Sequence, residues 1–485
     1  MGKGPDLRYH RIVMNINENP RSYECCIIGA GPAGLGAALE LTRHGITNIL
    51  IIDKNKSAGG LARTDIFNGI RFDTGPHRFF TKNSEIDKIW RDTLGEDFKP
   101  VSRLTRICYK NKYFKYPIEP LDVLLRLGPL TPLQVILSFI FSQICKTGKI
   151  VSFEDWIVKK FGRKLYEIFF KTYTEKVWGI PCDEIASEWA SQRIKDWDTL
   201  EIIKNYFVKK DEKNVRTLIK EFCYPVLGSG QMYEAMCDKI ASQGAELMLD
   251  SQAVGFNHLD NVIQSMDIVQ HDGHKINIAA KCFFSSIPMA NFFKALNPQI
   301  SNNSICKLRY RAHITVDLIV NKQCLFRDQW IYVHSSDVKM ARIANYNNFS
   351  KAMLGGRNKT AISVEYFVFE TDNLWNASDE FIIDLAINEL IKTGLIKKPD
   401  EIEKALVVRE AQAYPVNYVG FQEHLDSLRS AIDKFINFYP IGRAGMHKYI
   451  NQDHALISGI LAARNYLKLP GSPYALWDIN VDSDY

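Results

Sequence analysis

The fold is decided by one stretch near the start of the chain, Cys25-Cys26-Ile27-Ile28-Gly29-Ala30-Gly31-Pro32-Ala33-Gly34-Leu35-Gly36. Its apolar beginning predicts a buried parallel strand, and the residues after the turn have the rhythm of a helix. The three glycines have separate tasks. Gly29 permits a tight turn, Gly31 lets backbone N–H groups approach a pyrophosphate, and Gly34 lets the helix pack on the strand. The stretch therefore predicts a dinucleotide site at a helix N-terminus, whose positive dipole end favours phosphate.

A second apolar run, Ile49-Leu50-Ile51-Ile52, ends at Asp53, which lies 19 residues after Gly34. A carboxylate at this distance is placed to accept the ribose hydroxyls of an adenosine. Strand, glycine turn, helix, second strand and acidic residue occur in the order that a dinucleotide site requires. This order favours a cofactor site over an empty structural turn.

Two further motifs, Gly59-Gly60-Leu61-Ala62-Arg63-Thr64 and Asp73-Thr74-Gly75-Pro76-His77, follow the acidic residue. Together they resemble the FAD domain shared by amine oxidases, protoporphyrinogen oxidases and UDP-galactopyranose mutases. The resemblance implies tightly bound FAD instead of a dissociable nicotinamide. Near the C-terminus, Gly442-Arg443 followed by an amphipathic helix resembles the segment that closes the FAD site in this superfamily. The resemblance assigns the following residues to the cofactor: Gly29, Gly31, Pro32, Ala33, Gly34, Asp53, Lys54, Gly60, Leu61, Ala62, Arg63, Gly75, Pro76, His77, Gly442, Arg443, Asn451 and Asp453.

The implied fold class is α/β, with a discontinuous Rossmann-like FAD-binding domain, a helical insertion and a mainly antiparallel β-sheet substrate domain. We expect the segments to divide as follows: a mobile arm in 1–22, the FAD-binding domain in 23–118, 215–288 and 406–469, the helical insertion in 119–214, the β-sheet domain in 289–405, and a tail in 470–485.

The segment Phe169-Phe170-Lys171-Thr172-Tyr173-Thr174-Glu175-Lys176-Val177-Trp178-Gly179 is the second informative motif. By pattern alone, aromatic residues at helical spacing belong to a core more often than to a ligand site. The segment resembles the one that lines the nucleotide-sugar pocket of UDP-galactopyranose mutases. The resemblance implies that Phe169 and Phe170 pack near uridine, that Tyr173 bonds the diphosphate and that Trp178 borders the sugar.

Four more residues are assigned to the substrate by the same resemblance. Arg311 and Tyr449 would contact the diphosphate, Arg193 is a further candidate for it, and Tyr346 is an aromatic candidate for the pocket. For Arg311, a solvated residue on a strand edge remains an equal alternative. The catalytic set predicted in this way is His77, Tyr173, Trp178, Arg311 and Tyr449, with His77 lying over the flavin.

Two functions remain open at this stage. In the favoured one, the protein acts on a nucleotide sugar as UDP-galactopyranose mutases do in polysaccharide biosynthesis: N5 of the reduced flavin attacks the anomeric carbon, and the sugar recloses in another ring size. In the alternative, an FAD-dependent oxidoreductase similar to amine or protoporphyrinogen oxidases removes a hydride from an apolar or lipid-linked substrate. A UDP-sugar is the expected small-molecule partner in the first case, and NAD(P)H is left open as an external reductant.

The composition excludes several other functions. A net charge of +6 in 485 residues, without a compact basic run, argues against a nucleic-acid surface. The ten cysteines show no metal-ligand spacing, so we predict no metal site, and their pattern suits a reducing cytoplasm. The apolar stretch 133–145 is too short to cross a bilayer of roughly 30 Å and is expected to be a core helix. A peripheral membrane contact through this stretch and a homodimer are left open.

Overall fold

The computed structural model describes residues 21–116, 126–127, 130–144, 148–194, 221–469 and 476–479. The arm predicted in residues 1–22 and the tail predicted in 470–485 lie almost wholly outside these residues. The strands are β1 Arg21–Ile28, β2 Ile49–Ile52, β3 Thr64–Phe67, β4 Ile70–Asp73, β5 Phe98–Ser102, β6 Thr105–Tyr109, β7 Lys112–Lys115, β8 Glu221–Pro225, β9 Glu246–Met248, β10 Ser251–Leu259, β11 Val262–Gln270, β12 Lys275–Ser285, β13 Leu296–Asn297, β14 Tyr310–Val320, β15 Trp330–Val333, β16 Arg342–Asn345, β17 Thr360–Val368, β18 Ile402–Pro415 and β19 Phe438–Pro440.

Helices cover both faces of the first sheet and one side of the second. They are α1 Pro32–Arg43, α2 Ser84–Leu94, α3 Leu130–Ile144, α4 Phe153–Phe161, α5 Arg163–Leu165 continued by a π-helical turn Tyr166–Lys171, α6 Thr172–Trp178, α7 Ser187–Ile194, α8 Gly230–Ser242, α9 Met289–Lys294, α10 Asp379–Lys392, α11 Phe421–Ile432, α12 Gly442–Gly445 and α13 Gln452–Tyr466.

The first sheet carries the cofactor motifs. Its strand order is β13-β10-β11-β12-β1-β2-β9, and β19 also pairs with β12. Strand β1 lies at its centre, parallel to both β2 and β12, with Cys25 opposite Ile49 on one side and Cys282 on the other. Helices α1 and α13 cross closely on one face. Because both faces are covered, β1 and β2 are nearly continuous apolar runs, and the two adjacent cysteines are fully buried.

The second sheet has the order β18-β14-β17-β16-β15-β6-β7 and is antiparallel except where β15 pairs parallel to β6. The predicted α/β class with a sheet-rich second domain is confirmed. Two predicted boundaries are not followed: the hairpin of residues 105–115 belongs to this second sheet, although it was assigned to the FAD-binding segment 23–118. Strand β18 likewise starts in the second sheet and runs past residue 406, because it pairs along its length with β14.

The helical insertion contains one clear departure from expectation. Helix α3, predicted to be buried, leaves most of its large apolar side chains exposed to solvent. Apolar composition alone does not say which face a helix turns to the protein, and here polar side chains make the inward contacts. Among the described residues, no helix is both long and apolar enough to cross a membrane.

Candidate active site

A deep cavity lies at the carboxyl ends of β1 and β2, where the first sheet meets β18 and α12. Helix α1 begins here at Pro32, with Gly31 as its extended N-cap residue. The cavity lining includes the following predicted cofactor residues: Gly29, Gly31, Pro32, Ala33, Asp53, Lys54, Gly60, Leu61, Ala62, His77, Gly442, Arg443 and Asn451. The fingerprint and the C-terminal Gly-Arg motif, more than 400 residues apart in sequence, therefore form one site.

The glycines of the fingerprint fit their predicted tasks. Gly29 has φ +108°, and a Cβ atom added there would lie 2.0 Å from the Ser286 Oγ atom. A Cβ atom on Gly34 would lie 1.8 Å from the Gly29 carbonyl oxygen, so the absence of a side chain lets α1 pack against the strand. A Cβ atom added to Gly31 would lie 3.7 Å from the Gly60 Cα atom, which is an ordinary contact distance. This leaves a narrow backbone channel at the N-terminus of α1, as a pyrophosphate requires.

Asp53 stands at the end of β2, as the spacing predicts. Its carboxylate accepts hydrogen bonds from the N–H groups of Ala30 and Asn55, both at 2.8 Å, which fixes the turn around the cavity. Burial raises the pKa of Asp53, and these two hydrogen bonds limit the rise. The side chain lines the cavity.

Five predicted cofactor residues do not line the cavity: Gly34, Arg63, Gly75, Pro76 and Asp453. The Arg63 guanidinium forms ion pairs with Glu410 and Asp65 and donates to the Gly60 carbonyl, so it supports the cavity wall from behind. Asp453 is buried in the first turn of α13 and contacts the His454 ring at 2.8 Å. Both residues act on the site through their neighbours in this structure.

His77 lines the cavity, and its Nδ1 atom is buried without a hydrogen-bond partner among the described residues. Burial lowers the pKa of His77 to about 3, and the positive charges of Arg443 and Arg342 contribute to the decrease. The imidazole is therefore neutral at physiological pH. A neutral ring with an unpaired polar atom is suited to contact a bound flavin. Together with the glycine channel and Asp53, this shows that the residues present fit FAD.

Aromatic side chains and an arginine gather next to His77. The Tyr449 ring lies 5.7 Å from Trp178 and 5.8 Å from Tyr414, with the Tyr414 and Tyr449 rings stacked. The Arg443 guanidinium carbon lies 4.9 Å from the Tyr449 ring centre and 5.0 Å from that of Tyr414. Arg443 also donates to the Ile450 carbonyl oxygen at 3.0 and 2.7 Å, which holds it in this position. We call Tyr173, Trp178, Tyr414, Tyr449 and Arg443 the tyrosine–arginine cluster.

Tyr173 lies on α6 and near the rest of this cluster, because Tyr449 is among the groups that raise its pKa. Its ring stacks on His334 at 4.6 Å and meets Tyr332 edge-on at 5.4 Å. Burial raises the pKa of Tyr173 well above its usual value, the neighbouring Tyr332 adds to the rise, and the Arg342 charge opposes it. The hydroxyl is therefore a hydrogen-bond donor at all working pH values.

Sequence reasoning missed a charged group beneath the cluster. The fully buried Glu365 carboxylate accepts hydrogen bonds from Arg342 Nε at 2.9 and 2.8 Å and contacts His313 Nε2 at 3.0 Å. A Cβ atom on Gly75 would lie 3.6 Å from the Arg342 guanidinium and 3.8 Å from the His77 ring, which places this group directly behind the cavity. The strands β14, β16 and β17 supply one residue each, and no local motif marks them. An alternating buried strand with charged residues is the single sequence signal that could have pointed to them.

The structure gives several predicted substrate residues other surroundings. The Arg311 guanidinium is buried and donates to the carbonyl oxygens of Val177, Lys176 and Phe367, at the end of α6. It lines a different pocket, together with Glu175 and Asp372. A solvated strand edge does not describe Arg311, because its side chain is buried and donates to carbonyl oxygens at the end of α6; a diphosphate contact stays a prediction.

Tyr346 and Phe169 are core residues. The Tyr346 hydroxyl donates to the Asp73 carbonyl oxygen at 2.7 Å, and its side chain is fully buried. Phe169 packs against Phe114 with ring centres 5.4 Å apart, whereas Phe170 is partly exposed and stacks on Phe161. Arg193 lies in α7, but its side chain is outside the described residues. The structure thus places His77, Tyr173, Trp178, Tyr449 and Arg443 near one another. Arg311 lies opposite Tyr414 in the pairing of β14 with β18 but lines a different pocket, and Tyr346 and Phe169 are in the core.

Comparison with known proteins agrees with this geometry. Residues 27–93 match the family model for an NAD(P)-binding Rossmann-like domain. A protein of Klebsiella pneumoniae assigned as a UDP-galactopyranose mutase is 28% identical over 182 residues, which cover 33% of this chain and 42% of that protein. A 4,4'-diapophytoene desaturase of Methylomonas sp. is 35% identical over 91 residues, covering 18% of this chain and 17% of the desaturase. The chain therefore matches these two relatives over less than half of their length.

Solved structures match over nearly the whole chain. The crystal structure of a reduced UDP-galactopyranose mutase has a TM-score of 0.80 at 21% identity and covers 93% of this chain and 96% of its own. A protein of Exiguobacterium sp. 255-15 assigned as a protoporphyrinogen oxidase has a TM-score of 0.71 at 14% identity, covering 92% and 98%. The chain therefore contains a Rossmann-like segment and shares its fold with both of these solved structures.

Proposed function

We propose that the protein is an FAD-dependent enzyme that acts on a nucleotide sugar in a reaction similar to that of UDP-galactopyranose mutase. The observation that carries the proposal is the tyrosine–arginine cluster beside His77. Arg443 lines the cofactor cavity, and the rings of Tyr414 and Tyr449 lie next to its guanidinium group, with Trp178 against Tyr449. Such a surface binds a nucleoside diphosphate through charge-assisted hydrogen bonds and stacking.

The balance of charge supports an anionic substrate. In the described part of the chain no carboxylate pairs with the Arg443 guanidinium, which is permanently charged. Arg342, by contrast, is neutralised by Glu365. The cluster therefore carries one uncompensated positive charge at partial burial, where attraction to a phosphate is stronger than in bulk water. Because Arg443 also lines the cofactor cavity, this charge can act on the flavin and on a substrate phosphate together.

Each residue of the cluster has a role in this proposal. The hydroxyls of Tyr173 and Tyr449 donate to the diphosphate, Arg443 supplies the charge, and Trp178 borders the sugar. When bound and reduced, FAD would supply the nucleophile that this chemistry needs. His77 stays neutral beside it, because the nearby arginines and burial hold its pKa near 3.

The test is an anaerobic titration of the dithionite-reduced protein with UDP, followed by flavin absorbance. UDP should perturb the spectrum, and Tyr449→Phe should weaken UDP binding by about tenfold, the effect of losing one hydrogen bond to a charged group. Tyr466→Phe is the matched control, because its hydroxyl donates to Glu24 on the far side of the first sheet. FAD content should be the same in all three proteins.

Two results would overturn the proposal. One is a spectrum that UDP does not change; the other is a UDP affinity that is equal in Tyr449→Phe and Tyr466→Phe. If, in addition, the oxidised protein is reduced by an amine or an apolar alcohol, the protein is an oxidoreductase, and the tyrosines of the cluster serve packing alone.

A further inference from the structure

Helix α3 turns apolar side chains to the solvent, whereas an ordinary surface helix turns them to the core. Its fifteen residues contain no ionisable side chain. Seven of the sixteen large exposed apolar side chains in the described part of the chain lie on it: Leu130, Leu133, Ile136, Leu137, Ile140, Phe141 and Ile144. Phe141 and Ile144 are 69% and 75% exposed. A contiguous apolar face of this kind on a surface is a mark of an interaction site.

The polar side chains of α3 are used against the protein. Ser138 Oγ accepts a hydrogen bond from the Lys164 N–H at 3.0 Å, and the Gln143 amide donates to the Lys159 carbonyl oxygen at 2.8 Å. A Cβ atom on Gly162 would lie 2.8 Å from the Phe139 nitrogen, so the helix is seated closely on the loop between α4 and α5. The helix is therefore held against the protein through one face, and its outward face is apolar.

The surroundings of this face are basic. Residues 126–171 contain eight Lys and Arg against three Asp and Glu, a net charge of +5, whereas the whole chain of 485 residues carries +6. Lys159 and Arg163 are exposed on the segment that receives α3. An uncharged apolar face with basic residues around it is complementary to an anionic lipid surface, where apolar side chains insert and cations meet headgroups. A second copy of the same chain would bring the same positive charge and be repelled.

We propose that the outward face of α3 is a peripheral membrane anchor, which inserts into the interface of an anionic lipid bilayer. At 1.5 Å per residue the helix is about 22 Å long, which suits a helix lying in the interfacial plane and not one crossing the roughly 30 Å hydrocarbon core. The anchor packs against α4 and α5, so the bilayer would lie on the side of the insertion. This inference does not depend on the proposed reaction.

The experiment is co-sedimentation of the FAD-loaded protein with vesicles of phosphatidylcholine alone or with about 30% phosphatidylglycerol. The wild type should sediment with the anionic vesicles and less with the neutral ones. Leu137→Glu/Phe141→Glu should reduce the partition coefficient at least about tenfold, since it puts two charges into the apolar face. Leu259→Glu/Ile436→Glu, with side chains 63% and 74% exposed elsewhere, is the matched control and should bind as the wild type does.

Light scattering on a gel-filtration column in the absence of lipid tests whether a second copy of the chain covers this face instead. If the wild type is a dimer that Leu137→Glu/Phe141→Glu converts to a monomer, and no vesicle binding occurs, the face is a homodimer interface and the anchor is refuted. Sedimentation of the α3 variant equal to that of the wild type would refute it as well. Because the substituted side chains are exposed, all variants should keep the thermal midpoint and FAD content of the wild type.

Discussion

Replacing Glu365 with glutamine should test the buried charged group behind the cavity. Burial opposes ionisation of Glu365, but the charge of Arg342 and the hydrogen bonds of Arg342 and His313 outweigh it and lower its pKa from 4.5 to about 2. Each pKa unit corresponds to about 1.4 kcal/mol, so these partners stabilise the ionised carboxylate by about 3 kcal/mol relative to the unfolded chain. Removing one partner of a buried pair costs about 3–5 kcal/mol, a similar amount.

The assay is urea unfolding of the FAD-saturated protein at pH 7, followed by far-ultraviolet circular dichroism. Glu365→Gln should lower the free energy of unfolding by about 3 kcal/mol. The double variant Arg342→Met/Glu365→Leu should be more stable than Glu365→Gln, because it leaves no uncompensated buried charge. Equal stability of Glu365→Gln and wild type, or a double variant less stable than Glu365→Gln, would refute this reasoning.

The same carboxylate predicts a pH dependence. Because its pKa is lower in the folded state than in the unfolded state, its contribution is fully present above about pH 4.5 and is lost as the pH falls toward 2. The wild type should therefore lose stability more steeply than Glu365→Gln in this interval. Parallel curves for the two proteins would contradict the assignment.

Two further predictions concern packing and titration. In Gly459→Ala the new Cβ atom would lie 1.8 Å from the Ala33 carbonyl oxygen, so α13 must move away from α1. The purified variant should contain less FAD per chain than the wild type, as measured by the ratio of flavin to protein absorbance. Asn465→Ala, at an exposed position on the same helix, should keep the FAD content of the wild type. Burial lowers the pKa of Lys176 to about 8 from 10.5, although its amine donates to the carbonyl oxygens of Val333, Ser335 and Met340. Relative to Lys176→Met, the wild type should therefore gain about 3 kcal/mol of unfolding free energy between pH 8 and 10.5, measured by urea titration; a constant difference between the two would count against a buried, titrating amine.

The cofactor site could be predicted because its signals are local. Gly29 and Gly34 are needed for close backbone approach, and the position of Asp53 follows from the lengths of α1 and β2. The sequence pattern of such a unit is contiguous and each residue has a steric or electrostatic reason. The structure places these residues as the spacing predicts.

The substrate end was only partly predicted, since its residues come from distant elements. Trp178 and Tyr449 do meet, but Arg311 points its donors at backbone carbonyls, and Tyr346 is in the core. Motif similarity identifies a residue type at a position and does not say which side of the strand or helix faces the cavity. The register of β14 against β17 decides which side chains of these strands face the cavity. It also brings His313 near Glu365, and no local sequence signal marks this pair.

The exposure of helix α3 could not be predicted from its amino-acid composition. Its apolar run predicted a core helix, yet most of its large apolar side chains are exposed, while Ser138 and Gln143 hydrogen-bond to backbone groups of α5 and α4. A helix that is apolar on nearly every side fits a core, a membrane surface or a partner equally well, and only its packing partners decide.

The most direct measurement of the central claim is turnover under strictly anaerobic conditions. The purified protein is incubated with UDP-galactopyranose and other UDP-hexoses, once oxidised and once reduced with dithionite, and the sugars are separated by chromatography while the flavin spectrum is recorded. We expect an isomer of the substrate with the reduced protein alone, with no net change in flavin oxidation state. No isomer from the reduced protein, or stoichiometric reduction of the oxidised flavin by the substrate, would contradict it.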